Sequence, residues 1–139
     1  MSNQKLIVLC TGNSCRSQLM EAYLKKFAKQ TEIFSAGSNP QGVHPLTIKV
    51  LEEDGMEAST LFSKHIDNFK DVRFDISLSV CDRAKEACDV HLNSMHKMHY
   101  SFVDPAAVKG DETKVWRAFC EIRDSIKEYA KKYTEKHNL

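Results

Sequence analysis

Three things are scarce in this chain: net charge, long apolar runs, and cysteines at metal-binding spacing. Twenty Lys and Arg against 19 Asp and Glu leave a formal charge of +1, without the basic surplus of a dedicated nucleic-acid binder. No stretch approaches the roughly 18–20 consecutive apolar residues of a membrane span. Met1 to Lys5 lead straight into a strand-like run with no signal-peptide profile, so a cytoplasmic protein is expected. The five cysteines, at 10, 15, 81, 88 and 120, are odd in number, which argues against a static disulfide framework. Cys81 and Cys88 are separated by six residues, and Cys10 and Cys15 by four with Arg16 next door, a poor match to a zinc site, and no metal is expected. Cysteine used as a reagent in a reducing compartment fits better. Internal repeats and low-complexity segments are also missing.

What is present suits one globular domain spanning 1–139. Apolar residues make up 42% of the chain and charged residues 28%, enough for a proper core under a solvated surface. Lys5 to Cys10 is a continuous branched apolar run, the pattern of a buried parallel strand. Turn formers Thr11-Gly12-Asn13-Ser14 follow. From Ser17 the period changes: Leu19, Met20, Tyr23, Leu24 and Phe27 share a helical face, with Ser17 and Glu21 near its start. Thr31 to Ala36 is a second strand. Pro45 suits the first turn of a helix carrying Leu46, Val50 and Leu51 and ended by Gly55. A loop through Ser63 and Lys64 precedes a polar helical stretch near Asp67, and Phe74 to Val80 is a third strand. Residues 82–90 read as a short, weakly anchored helix, and His99 to Val103 as a fourth strand before Asp104-Pro105. Val115, Phe119, Ile122, Ile126, Tyr129 and Tyr133 recur at three and four, an amphipathic helix to about Tyr133. This alternation predicts a parallel α/β sandwich with its active site at the carboxyl ends of the strands, where Cys10, Cys81 and Asp104 all stand.

Cys10-Thr11-Gly12-Asn13-Ser14-Cys15-Arg16-Ser17 is C-x5-R followed by Ser, between a strand and a helix. The spacing alone is a weak signal; its context strengthens it. Such a loop can turn the backbone N–H groups of residues 11–16 toward a tetrahedral oxyanion at a helix N-terminus. Arg16 supplies a two-pronged permanent charge. The same donors are expected to lower the Cys10 thiol from about 8.5 and make it a thiolate at neutral pH, steadied by Ser17 Oγ. Asp104 is the candidate proton donor to a leaving oxygen, although an Asp before Pro also serves as a helix cap.

CTGNSCRSQLM, from Cys10 to Met20, resembles the active-site loop of the thioredoxin-coupled arsenate reductases, cousins of the low-molecular-weight protein tyrosine phosphatases. The similarity extends over nearly the whole chain, through Ser35-Ala36-Gly37, Val80-Cys81-Asp82 with Cys88, and Phe102-Val103-Asp104-Pro105-Ala106. It implies a three-layer α/β sandwich, a central four-stranded parallel sheet flanked by helices. It also implies a relay. Cys10 binds arsenate covalently, Cys81 attacks the adduct to release arsenite, and Cys88 displaces Cys10 to leave Cys81–Cys88 for an external reductant. Thioredoxin is the family default and glutaredoxin with glutathione the variant, with no tightly bound cofactor. Phosphate and sulfate would compete as oxyanions, and a monomer that touches neither nucleic acid nor membrane is expected. Cys15 reads as structural within the loop, and Cys120 as packing. The chain departs from the pattern at Asp89, where Pro is frequent, at Val103, where a second acid is frequent, and at Lys64, where many members carry an Asp potassium ligand. Lys64 would put an ammonium among Asn13, Glu21 and Ser35, supporting the loop. Two alternatives remain: a phosphatase using Cys10, Arg16 and Asp104 with water, and a redox-sensing or anion-binding protein without turnover.

Overall fold

The computed structural model describes residues 4–81 and 93–139. Four parallel strands, β1 (Gln4–Leu9), β2 (Thr31–Ala36), β3 (Arg73–Ser79) and β4 (Asn93–His99), form one sheet in the order β2-β1-β3-β4. The helices are α1 (Arg16–Phe27), α2 (Pro45–Glu53) and α3 (Glu112–His137), with short 3-10 turns at Ile66–Phe69 and Pro105–Ala107. The α/β sandwich with a central four-stranded parallel sheet is therefore the fold observed.

Central β1 is flanked on both sides, with Leu6 opposite Ile33 of β2 and opposite Ile76 of β3. Leu6, Ile7, Val8 and Leu9 are all essentially inaccessible, which explains the unbroken apolar run: both faces of a central parallel strand are covered. α1 packs along α3 and α2 against both, while Tyr129 of α3 lies 4.5 Å, ring to ring, from Tyr100 beyond β4. Phe34, Phe69 and Phe74 meet edge to face, and this cluster ties the first 3-10 turn to the sheet.

Three expectations need correction. The fourth strand is Asn93–His99, not His99–Val103. It is the sheet edge, paired only with β3 among the described residues, so its backbone makes the ladder while polar Asn-Ser-Met-His-Lys-Met-His stays largely exposed. The aromatic stretch after it follows the end of β3, with Tyr100 N–H donating to Ser79 O at 2.9 Å and Phe102 N–H to Val80 O at 3.1 Å. α1 starts at Arg16, with Cys15 at the N-cap and no side-chain cap, and Ser17 sits inside the first turn. α3 runs one turn beyond Tyr133 to His137, because Asn138 closes it in the left-handed conformation at φ 55°. Asp111 caps its start, accepting from Lys114 N–H at 2.9 Å. The helix expected over 82–90, and Cys88 with it, lie outside the described residues. Among those described, no helix is long and apolar enough to cross a membrane.

Candidate active site

The loop between β1 and α1 is held from outside by its carbonyls. Thr11 O accepts from Asn39 N–H at 2.9 Å and Gly12 O from Gln41 N–H at 3.0 Å. Asn13 O accepts from Ser63 Oγ at 2.7 Å and from Gln18 Nε2 at 3.1 Å. Ser14 O accepts from Thr47 Oγ1 at 3.0 Å and from His44 N–H at 3.2 Å. In a planar trans peptide the N–H points opposite to the carbonyl of the preceding residue. Anchoring the carbonyls of 11–14 outward therefore aims the N–H groups of Gly12, Asn13, Ser14 and Cys15 inward, toward the N-terminus of α1. This arrangement is an anion cradle.

Asn13 takes the left-handed conformation the turn requires, at φ 47°, and is fully buried. Its Nδ2 donates to Ser17 Oγ at 2.8 Å and Ser35 Oγ at 3.0 Å, while its Oδ1 accepts from Lys64 N–H at 2.8 Å and Gln18 Nε2 at 3.0 Å. Ser35 Oγ donates in turn to Glu21 Oε1. Lys64 Nζ stands 3.1 Å from that oxygen, and Lys25 Nζ 2.7 Å from Oε2. Burial by itself raises the Glu21 carboxyl, but the hydrogen bonds from Lys25 and Ser35 and the Lys64 charge bring it below its usual value. Asn13, Glu21, Ser35 and Lys64 thus form one connected support beneath the loop. Lys64 reaches Asn13 through its backbone and Glu21 through its ammonium, which also lies 4.9 Å above the Phe62 ring.

A cavity of about 110 Å³ opens above the cradle, lined by Cys10, Ser14, Cys15 and Arg16 on one side and Gln41, His44, Asp104 and Ala106 on the other. Arg16 Nη1 donates to Phe102 O at 3.1 Å, and Nη2 faces Asp104 Oδ2 at 3.5 Å. Its Nε is buried and has no partner among the described residues, a donor awaiting an acceptor. Asp104 Oδ1 caps the second 3-10 turn, accepting from Ala106 N–H at 3.0 Å, so it is both cap and cavity wall. Cys10 and Cys81 are both buried, and Cys81 Sγ lies 3.7 Å from Thr11 Oγ1. The neighbouring Cys81 side chain and desolvation push the Cys10 thiol up, against the pull of Arg16 and of Gly12 N–H. The expected lowering of the Cys10 thiol therefore does not hold. Ser17 Oγ is engaged as an acceptor from Asn13, which leaves its own proton for a second bond. Burial raises Cys15 as well, and Cys120 stands on α3 away from the cavity.

Sequence reasoning gave no role to Gly37, quoted only within a matching segment, and missed Gln41 and His44. A Cβ on Gly37 would lie 2.5 Å from Thr11 O and 2.6 Å from Cys10 O, so only glycine lets β2 pass this close under the loop. His44 caps α2, its Nδ1 accepting from Leu46 N–H at 3.0 Å, and packs on Phe119 at 4.8 Å. The His-Pro step before an apolar helix carried that cap signal. No group of three or more His, Cys, Asp or Glu side chains among the described residues could hold a metal.

Residues 5–138 match the family model described as low molecular weight phosphotyrosine protein phosphatase. The chain is 36% identical over 137 residues to an arsenate reductase of Brevibacillus brevis and 32% identical over 136 to one of Halalkalibacterium halodurans, in each case covering 97% of this chain and 98% of the relative. Among solved structures, an arsenate reductase in its reduced state superposes with a TM-score of 0.77 at 26% identity, over 96% of this chain and 98% of the other. The tyrosine phosphatase Wzb of Escherichia coli K30 in complex with sulphate gives 0.79 at 20% identity, over the same shares, a likeness of fold.

Proposed function

Because the chain belongs to the low molecular weight phosphotyrosine protein phosphatase family, we propose that it is an enzyme of the arsenate-reducing branch, converting arsenate to arsenite. The observation that carries this reading is a second buried thiol at the oxyanion cradle: Cys81, whose Sγ lies 3.7 Å from Oγ1 of Thr11, the residue next to Cys10. A phosphatase has no use for a second thiol against its nucleophile; a reductase requires one. Arsenate enters the cradle, where the loop N–H groups and the unpartnered Arg16 Nε bind its oxygens. As the ion draws the Arg16 guanidinium, Asp104 is released to act as the acid. Cys10 gives its proton to an arsenate oxygen as its Sγ attacks arsenic, and one arsenate hydroxyl leaves as water with a proton that Asp104, freed from Arg16, has drawn from solvent. Cys81 gives up its proton and attacks Cys10 Sγ. The S–As electron pair passes to arsenic, which leaves as arsenic(III), while the two cysteines become a disulfide. Cys88 then attacks Cys81, restoring Cys10, and an external dithiol, thioredoxin or glutaredoxin with glutathione, reduces Cys81–Cys88. The protein would work as a single-domain cytoplasmic monomer without a bound cofactor, with phosphate and sulfate as competitors.

The test is arsenate-dependent NADPH oxidation with each reductant system supplied separately. Cys10→Ser should abolish it, and Cys81→Ser or Cys88→Ser should stop it after at most one turnover. Hydrolysis of phosphomonoesters needs only Cys10, Arg16 and Asp104, which share the same cavity. Vigorous hydrolysis with no arsenate turnover in the wild type would make the chain a phosphatase instead.

A further inference from the structure

One wall of the cavity comes from the segment 39–44, which lies along the loop through the bonds from Asn39, Gln41 and His44 N–H to its carbonyls. Two side chains of this segment line the cavity, and they differ in freedom. His44 is committed: its Nδ1 accepts from Leu46 N–H at 3.0 Å and its ring lies on Phe119. Gln41 is held by its backbone, whose N–H donates to Gly12 O at 3.0 Å. Its carboxamide lies across Gly12, where a Cβ would stand 3.1 Å from Oε1 and 3.3 Å from Cδ. A side chain at position 12 would press that carboxamide away from the cradle, and glycine leaves it room. Among the described residues the carboxamide makes no hydrogen bond, so both its donor and its acceptor remain for a ligand in the cavity.

An oxyanion seated among the loop N–H groups is bound from its inner side. In-line displacement puts the leaving oxygen opposite the nucleophile. When Cys10 attacks arsenic, that oxygen therefore points away from Cys10, toward the wall that carries Asp104 and Gln41. The same oxygen distinguishes two substrate classes. In free arsenate it is a hydroxyl or a bare anionic oxygen, whereas in a phosphomonoester it carries the organic group. A carboxamide both donates and accepts, so Gln41 Nε2 can donate to the free oxygen and Oε1 can accept from its hydroxyl. An ester oxygen has no proton to give, and its substituent competes for the space of the carboxamide. We infer that Gln41 is a specificity-determining residue: its carboxamide binds the outward oxygen of a free tetrahedral oxyanion and selects it against a phosphomonoester. The inference rests on the reductase reading for its purpose, but its measurement needs no reduction.

The experiment is calorimetric titration of the full chain carrying Cys10→Ser, which removes the nucleophile, with inorganic phosphate and with phenyl phosphate. Gln41→Met, added to it, keeps the length of the side chain and loses both hydrogen-bonding atoms. It should weaken inorganic phosphate about 10-fold, the size of one hydrogen bond to a charged group, and lower the preference for phosphate over phenyl phosphate by about that factor. Gln41→Ala, which also opens space, should lower the preference further. With Cys10 intact, Gln41→Met should lower the ratio of kcat/KM for arsenate reduction to kcat/KM for p-nitrophenyl phosphate hydrolysis by a similar factor. Equal weakening of both ligands would mean that Gln41 acts only by bracing the loop, and would overturn the inference. A preference unchanged in both variants would overturn it too. Failure of the wild type to reduce arsenate would instead overturn the functional reading, and the phosphate titrations would still decide the role of Gln41.

Discussion

Gly37→Ala tests whether the loop is positioned from below by close backbone packing. The added methyl would lie 2.5 Å from Thr11 O, 2.6 Å from Cys10 O and 3.0 Å from Asn13 N. All three are backbone atoms of the cradle, so no side chain can swing away. Relief to ordinary contact near ~3.4 Å requires the loop or β2 to move by somewhat less than 1 Å. β2 is pinned here on both sides of Gly37, whose N–H donates to Lys64 O and whose carbonyl accepts from Ile66 N–H, each at 2.9 Å. The loop must therefore give. Overpacking of this kind costs about 1–3 kcal/mol of stability. A misplacement near 1 Å of groups that must converge on one oxyanion lowers turnover by about 100-fold. The assay is kcat/KM for phosphomonoester hydrolysis, which reads the cradle alone, together with the rise in Tm given by saturating arsenate or sulfate. Gly42→Ala is the control. Its φ of +84° strains an alanine, but a Cβ there meets nothing, so stability should fall slightly and activity should hold. Gly37→Ala with wild-type activity and an unchanged arsenate-induced rise in Tm would refute the argument.

Lys64→Met should destabilise the fold by about 1–3 kcal/mol in urea, because it removes one cation from a carboxylate that stays buried beside Ser35. Glu21 is held below its ordinary value, so its stabilising contribution is complete above the unfolded carboxylate value, near about 4.3, and is lost as pH falls through the depressed folded one; wild-type stability measured from pH 6 to 3 should show that acid loss. With the Lys64 ammonium already against Glu21, activity in potassium and in a large organic cation at equal ionic strength should agree within about twofold, and severalfold potassium stimulation would refute this. Asp104→Asn should lower phosphomonoester hydrolysis by about 10²–10⁴-fold, with the loss confined to esters whose leaving group needs a proton, and equal losses for good and poor leaving groups would remove Asp104 from the acid's role.

The periodicities of the chain determined the element types and their order. An unbroken apolar run forces β1 to the sheet centre, and the 3.6-residue stripes force α1 and α3 onto it, because burying those faces is the dominant local gain. The C-x5-R-S segment between them likewise located the oxyanion loop and its arginine. β4 escaped because an edge strand is stabilised by backbone pairing to β3, which leaves no apolar signature in Asn93–His99. Three features of the site depended on tertiary structure alone. The inward turn of the loop N–H groups follows from carbonyl partners at Asn39, Gln41, His44, Thr47 and Ser63, residues 25 or more positions away. The demand for glycine at 37 comes from another strand's backbone. The Cys10 thiol is pushed up by Cys81, 71 positions further on, and by burial, because both come to it only through the fold. A sequence records which groups are available; their charges and directions are fixed by what the sheet brings alongside them.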